Sequence, residues 1–298
     1  MAQDLSAVHV PVLRNEVVAW LMPRPNGLYV DGTLGLGGHG LALLEASSPS
    51  GRLVGFEWDG EAAAQAAERL APHGERVHIV RASYADVVPE LAKLGIGAID
   101  GLVADLGVSS LQLDRAERGF SFRADSVLDM RMDQRNPLTA ATLVARLSEE
   151  QLADIFYHYG EERQARRIAR FLVQARQEAP VATTTRLAAI VAEAVPRKYH
   201  PPKVHVATKV FQALRIAVNG ELDNLTRLLA TAPEVLRPGA RMAIITFHSL
   251  EDRIVKQAFQ QNAAFRILTR RPVTPSAEEC ERNPRSRSAK LRVAERVM

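Results

Sequence analysis

Leu28-Tyr29-Val30-Asp31, running straight into Gly32-Thr33-Leu34-Gly35-Leu36-Gly37-Gly38-His39-Gly40, reads as a short apolar strand that empties into a glycine-rich loop and then a helix. Gly35, Gly37 and Gly40 satisfy the G-x-G-x-x-G spacing in the context it requires, after a strand and before a helix, where glycine lets the backbone approach a nucleotide closely. The six glycines between Gly32 and Gly51 are more than a ligand-free turn needs. Glu57, at the end of a second strand over 53–57, stands where an acid accepts hydrogen bonds from ribose hydroxyls. Strand, loop, helix and acid together predict a nucleoside ligand.

Outward from this motif the alternation continues. Helices over 60–71 and 87–94 alternate with strands over 77–80 and 99–105, the pattern of βαβ units in a parallel sheet with helices on both faces. From about 115 to 205 the periodicity is helical throughout. Within that stretch Ala165, Ile168, Leu172 and Ala175 form an apolar stripe, while Arg163, Arg166, Arg167 and Arg170 lie largely away from it and read first as a solvated face. The run Arg197-Lys198-Tyr199-His200-Pro201-Pro202-Lys203 is broken by its prolines and reads as a linker. One long helix over 207–229, a helix stop at Pro238-Gly239, and strands over 242–247, 265–268 and 290–293 complete the chain. The expectation is an α/β protein with a mostly parallel sheet of about seven strands. Its core spans 1–113 and 207–298, and an all-helical domain, 114–206, is inserted.

The chain's 298 residues suit two domains, and 47% hydrophobic with 24% charged residues exclude disorder or a coiled coil as an account of the whole. No apolar run approaches a membrane span, and a start carrying Asp4, Arg14 and Glu16 lacks the plan of a signal peptide, so a cytoplasmic protein without membrane contact is expected. A single cysteine, Cys280, excludes an internal disulfide and a thiolate zinc cage. No metal is expected. The net charge of +4 is carried by residues 266–298, where nine Arg or Lys face four Glu. Such a patch is the footprint expected for nucleic acid, or else a solvated terminus.

The glycine motif alone does not choose between a dinucleotide and S-adenosylmethionine. Asp31 and Asp105, at the mouths of the first and fourth strands, would repel a pyrophosphate and favour a sulfonium and an amino group. Asp105 also reads as a helix N-cap, and the two roles are compatible.

Further along come Asp105-Leu106-Gly107-Val108-Ser109-Ser110, Gln112-Leu113-Asp114, Arg118-Gly119-Phe120-Ser121-Phe122 and Leu128-Asp129-Met130-Arg131-Met132. Gly160-Glu161-Glu162, Phe211-Gln212-Ala213-Leu214-Arg215-Ile216, Phe247-His248-Ser249-Leu250-Glu251-Asp252-Arg253 and Asn283-Pro284-Arg285-Ser286-Arg287-Ser288 follow in order. Over nearly its whole length the chain resembles the bacterial ribosomal RNA small subunit methyltransferase H family, also called MraW. That resemblance implies a class I, Rossmann-like methyltransferase that uses S-adenosylmethionine to methylate the exocyclic N4 of one cytidine in the decoding centre of 16S ribosomal RNA. Carried over by position, cofactor contacts fall on Gly37, Gly38, His39, Glu57, Tyr84, Asp105 and Gln112. The family usually has Asp at Glu57, and Pro and Arg at Val206 and Lys209.

The residues fit such chemistry on their own terms. A cytosine amine is a weak nucleophile, so its N–H bonds need an acceptor, and Asp105 is the candidate catalytic residue. A base taken out of its stack needs a surface, for which Phe120, Phe122 and Phe247 are candidates, although lone aromatics are more often core. His248, Arg285, Arg287 and Lys290 are the candidate RNA contacts. Ser249 with Asp252 reads equally as a plain capping box. The expected partner is 16S ribosomal RNA within the small ribosomal subunit, and a homo-oligomer is compatible with everything above. The rivals are an NAD-dependent dehydrogenase and an RNA-binding assembly factor that keeps a cofactor fold without activity.

Overall fold

The computed structural model describes residues 11–297; the stretch carrying Asp4 lies outside them. The chain divides into two units, Met1–Gly107 with Leu222–Met298, and Val108–Glu221.

The first unit is built on a seven-stranded sheet. Its strands are β1 (Leu28–Asp31), β2 (Arg52–Phe56), β3 (Val77–Val80), β4 (Ile99–Asp105), β5 (Leu236–Thr246), β6 (Phe265–Ile267) and β7 (Lys290–Arg296), in the order β3-β2-β1-β4-β5-β7-β6. β1 to β5 run parallel, and β7 is antiparallel to both β5 and β6. This is the expected doubly wound α/β sheet. Alternate residues of the central strands enter opposite cores, as period two dictates. Val30, Leu102 and Ile244 meet one apolar cluster, and Tyr29, Val103 and Ile245 meet the other. The first cluster is completed by α4 (Val87–Lys93), α11 (Glu221–Thr231) and α12 (Ser249–Gln261), the second by α1 (Arg14–Leu21), α2 (Gly38–Ala46) and α3 (Gly60–Leu70).

From β1 the chain winds outward through β2 to β3, then crosses back to place β4 on the other side of β1. Such a reversal opens a crevice at the carboxyl ends of the two strands, where ligands of open α/β sheets bind. It is closed below by the Gly32 N–H donating to the Val103 carbonyl (2.8 Å).

The second unit is helical, from α5 (Ser110–Asp114) through α6 (Ala140–Arg146), α7 (Glu149–His158), α8 (Ala165–Glu178) and α9 (Thr184–Ala194) to α10 (Thr208–Asn219). α8 lies between α7 and α9, and α10 packs on α7 and α6, so it groups with the helical unit. The expected insertion, 114–206, lies inside this unit.

Two expectations need correction. The long helix over 207–229 is α10 and α11, parted by Gly220, whose φ of 60° no helix interior accommodates. Pro238-Gly239 does not stop a helix but lies within β5, where the register with β4 slips between Ile99 and Gly101 and Gly239 takes φ 82°.

Candidate functional site

The glycine loop after β1 has the shape its spacing predicts. Gly35 and Gly37 take φ of 52° and 80°, and Gly37 is the N-cap of α2. A Cβ on Gly40 would stand 2.7 Å from the Leu53 side chain of β2, so a larger residue there would require Leu53 to shift for α2 to lie this close to the sheet. A Cβ on Gly37 would meet Leu70 at 3.3 Å rather than open space. Gly37 is therefore demanded by the backbone and by α3. Glu57, just beyond β2, clamps the loop: one carboxylate oxygen accepts from the Gly35 N–H and the other from the Asp59 N–H, both at 2.8 Å. Burial outweighs those two hydrogen bonds and pushes its pKa up to about 7.

Asp31 and Asp105 end the adjacent strands β1 and β4. Asp31 is almost fully buried; its Oδ1 accepts from the Thr33 N–H (3.1 Å), while Oδ2 has no hydrogen-bond partner among the described residues. Burial pushes its pKa up to about 6. The Asp105 N–H donates to Thr33 Oγ1 (2.6 Å), and its own Oδ1 is buried without a hydrogen-bond partner among the described residues. His39, the second residue of α2, brings Nε2 to 3.5 Å from Asp105 Oδ2, an ion-pair distance too long for a good hydrogen bond. Burial opposes a charge on His39, but Asp105 and Asp31 outweigh it and hold its pKa above the usual imidazole value. Asp105 is not a helix cap, for α5 is capped by Ser109.

A buried acceptor left without a donor is costly, and this crevice holds two, on carboxylates. The residues fit S-adenosylmethionine on that ground. Asp31 and Asp105 would face its positive charges, Glu57 its ribose hydroxyls, and the Gly37-Gly38-His39 backbone its closest approach. Tyr84, buried in the turn Tyr84–Asp86 with its ring 6.3 Å from that of Trp58, gives an apolar wall beside Gly32. A pyrophosphate would set like charge against both unpartnered oxygens.

The remaining candidates are placed as follows. Gln112 belongs to the helical unit and forms a capping box there, its Oε1 accepting from the Ser109 N–H (3.1 Å). His248 is half-buried as the N-cap of α12, its Nε2 3.2 Å from Glu251 Oε1, while Glu251 also accepts from the Phe247 N–H (2.8 Å). The box is thus His248 with Glu251, one residue away from the expected Ser249 with Asp252. Asp252 instead holds Arg292 at 2.6 Å and Lys290 at 3.4 Å. Arg285 and Arg287 lie exposed in the turn Pro284–Ser288 on either side of buried Ser286, and Glu295 pairs with Arg241 and Arg266. Phe247 lies beside Gly107, whereas Phe120 is buried and Phe122 packs against His205 and Phe211. Val206 is core, and Lys209 Nζ donates to the Glu161 carbonyl (2.8 Å). Sequence reading passed over Thr33 and Trp58, which carry no motif of their own. Among the described residues no cluster could hold a metal ion, and no helix is long and apolar enough to cross a membrane.

The model of the MraW methylase family matches residues 6–297. Ribosomal RNA small subunit methyltransferase H of Desulfotalea psychrophila is 56% identical over 294 residues, covering 99% of this chain and all of that protein. The protein of the same name from Geotalea daltonii is 49% identical over 307 residues, covering 97% of this chain and 98% of that one. The solved structure of TrmN from Thermus thermophilus is similar with a TM-score of 0.47 at 12% identity, covering 96% of this chain and 48% of that one.

Proposed function

The chain belongs to the MraW methylase family, and from that premise we propose that it methylates RNA of the small ribosomal subunit from S-adenosylmethionine, at the exocyclic N4 of a cytidine in the decoding centre of 16S ribosomal RNA. The observation that carries the reading is the pair of buried carboxylate oxygens without a hydrogen-bond partner among the described residues, Asp31 Oδ2 and Asp105 Oδ1, at the crevice between β1 and β4. When bound, S-adenosylmethionine supplies a methyl group on a positively charged sulfur. The chain's own residues do the rest. Glu57, Gly37, Gly38, His39 and Tyr84 orient the donor.

Asp105 accepts an N–H of the cytosine amine, which leaves the nitrogen lone pair more available and fixes its direction. Phe247 offers the unstacked base an apolar face, held by the hydrogen bond from its N–H to Glu251 and by the His248 cap. Arg285 and Arg287 neutralise phosphates, while Lys290 is shared with Asp252. The helical segment 114–206 serves substrate recognition, and a ribosomal substrate of this kind places the protein in the cytoplasm.

Incubation of the protein with small subunits lacking the modification and with S-adenosylmethionine labelled on its methyl group, followed by nucleoside analysis, tests this reading. Label in N4-methylcytidine is expected. Label in another nucleoside would overturn the target, and RNA binding without any transfer would leave a binding protein.

A further inference from the structure

α8 is built against its own dipole. Its first turn holds no acid and carries Arg166 and Arg167, with Arg163 just before the helix and Arg170 one turn on. The amino end of a helix bears partial positive charge, so cations there cost stability that an acid would have contributed. A face kept solvated only for solubility needs no such arrangement. Glu162 offsets part of this, its Oε1 accepting from the N–H of the N-cap Gln164 (2.8 Å), which leaves one such carboxylate against four cations.

One of the four arginines has a structural task. Arg167 Nε donates to the carbonyl of Ala194, the last residue of α9, and its guanidinium lies over the Phe171 ring. Arg163, Arg166 and Arg170 are exposed, and their side chains have neither a hydrogen bond nor an ion pair among the described residues. The Arg167 bond also brings the front half of α8 beside the end of α9, where the turn Arg197–Tyr199 follows three residues later. That turn is pinned by His200 Nε2 to the Val195 carbonyl (2.9 Å) and by the Tyr199 N–H to the Pro196 carbonyl (2.8 Å). The Arg197 side chain is exposed and without a partner among the described residues as well, and Tyr199 is 53% exposed with Lys198 Nζ 5.0 Å from its ring centre.

We propose that this face of the helical unit grips the phosphodiester backbone of the RNA substrate through Arg163, Arg166, Arg170 and Arg197. The proposal rests on the ribosomal RNA reading above and gives it a second contact surface besides the Arg285–Arg287 turn. Guanidinium groups match phosphate oxygens with two parallel N–H donors, and releasing counterions from the RNA is what makes a set of exposed, unpaired arginines bind. The exposed tyrosine among the cations favours RNA over an acidic protein surface, because a base stacks on it.

The test compares wild type with Arg166→Gln/Arg170→Gln in binding a small-subunit ribosomal RNA transcript across a salt series. The plot of log affinity against log salt should become shallower by roughly 0.7–0.9 per lost contact, with weaker binding at low salt. The melting temperature should stay level or rise, since a cation leaves the first turn of α8. Arg167→Gln should lower the melting temperature and leave the slope nearly unchanged. A double variant with wild-type slope and affinity overturns the proposal, as does a slope change confined to Arg167→Gln. Should the double variant fail to fold, Arg163→Gln/Arg197→Gln carries the same expectation.

Methyl transfer by the wild type is measured separately. Transfer with unchanged slopes in the variants sinks this inference and leaves the function standing. Slopes lost in the variants with no transfer by wild type do the reverse.

Discussion

Glu57→Gln should remove a large part of the pH dependence of the first unit's stability. The carboxyl group is buried and clamped by two backbone N–H donors, and its pKa stands at about 7 in the folded chain against an ordinary 4.5. The folded state therefore holds this proton more tightly than the unfolded state. The stability contributed is fully present below about pH 4.5 and is lost as pH rises through about 7. Proton linkage puts the loss at about 2.5 kcal/mol between pH 5 and pH 8. Asp31, raised to about 6, acts in the same direction but saturates earlier, and His39, held above the usual imidazole value, adds to it toward the upper end of the window.

Glutamine does not titrate, but its amide group turns a donor toward one of the two backbone donors, which costs roughly 1–3 kcal/mol at every pH. The variant should thus be clearly less stable at pH 5, and the two curves should converge or cross by pH 8. Both tryptophans, Trp20 and Trp58, lie in the first unit, so urea denaturation followed by tryptophan fluorescence reads that unit alone. Parallel curves for wild type and variant across pH 5 to 8 would refute the reasoning. In the same window the affinity of wild type for S-adenosylmethionine should rise with pH, because a cationic ligand favours the ionised acids.

Asp105→Ala should lower turnover on small subunits by roughly a hundred-fold or more while RNA affinity changes little, and a wild-type rate at saturating cofactor would remove Asp105 from the mechanism. Gly37→Val forces a branched side chain into φ 80° and against Leu70, a strain of about 1–3 kcal/mol that should displace the loop and abolish cofactor binding. Calorimetry on a folded variant with unchanged affinity would contradict that. Arg285→Gln with Arg287→Gln should flatten the salt dependence of RNA binding by roughly one unit per lost contact, with cofactor affinity intact. A lower melting temperature with an unchanged salt slope would make that turn structural.

What was legible in the sequence is what neighbouring residues decide. A short apolar run ending in Asp31, glycines at fixed offsets and an acid after the next strand define the loop because each constraint acts within one βαβ unit. What was not legible depends on conformation or on distant partners. Gly220 has helical periodicity on both sides, and nothing local says that it turns left-handed instead of continuing the helix. The α12 cap was misread by one residue because Ser is the commoner N-cap, whereas here the imidazole of His248 takes that place beside Glu251. The Asp31, His39 and Asp105 cluster is the deepest case. The sequence places Asp31 and Asp105 at strand mouths and His39 among the cofactor contacts, but β1 and β4 become neighbours only through the reversal of strand order, so the His39–Asp105 pairing and the two unpartnered oxygens are not local properties. Two carboxylates brought to adjacent strand ends would strain the folded chain, and His39, its pKa held up by both, lets the chain keep them there. A ligand bearing positive charge relieves the same strain, so the feature that makes this crevice costly to fold is also the one that makes it selective.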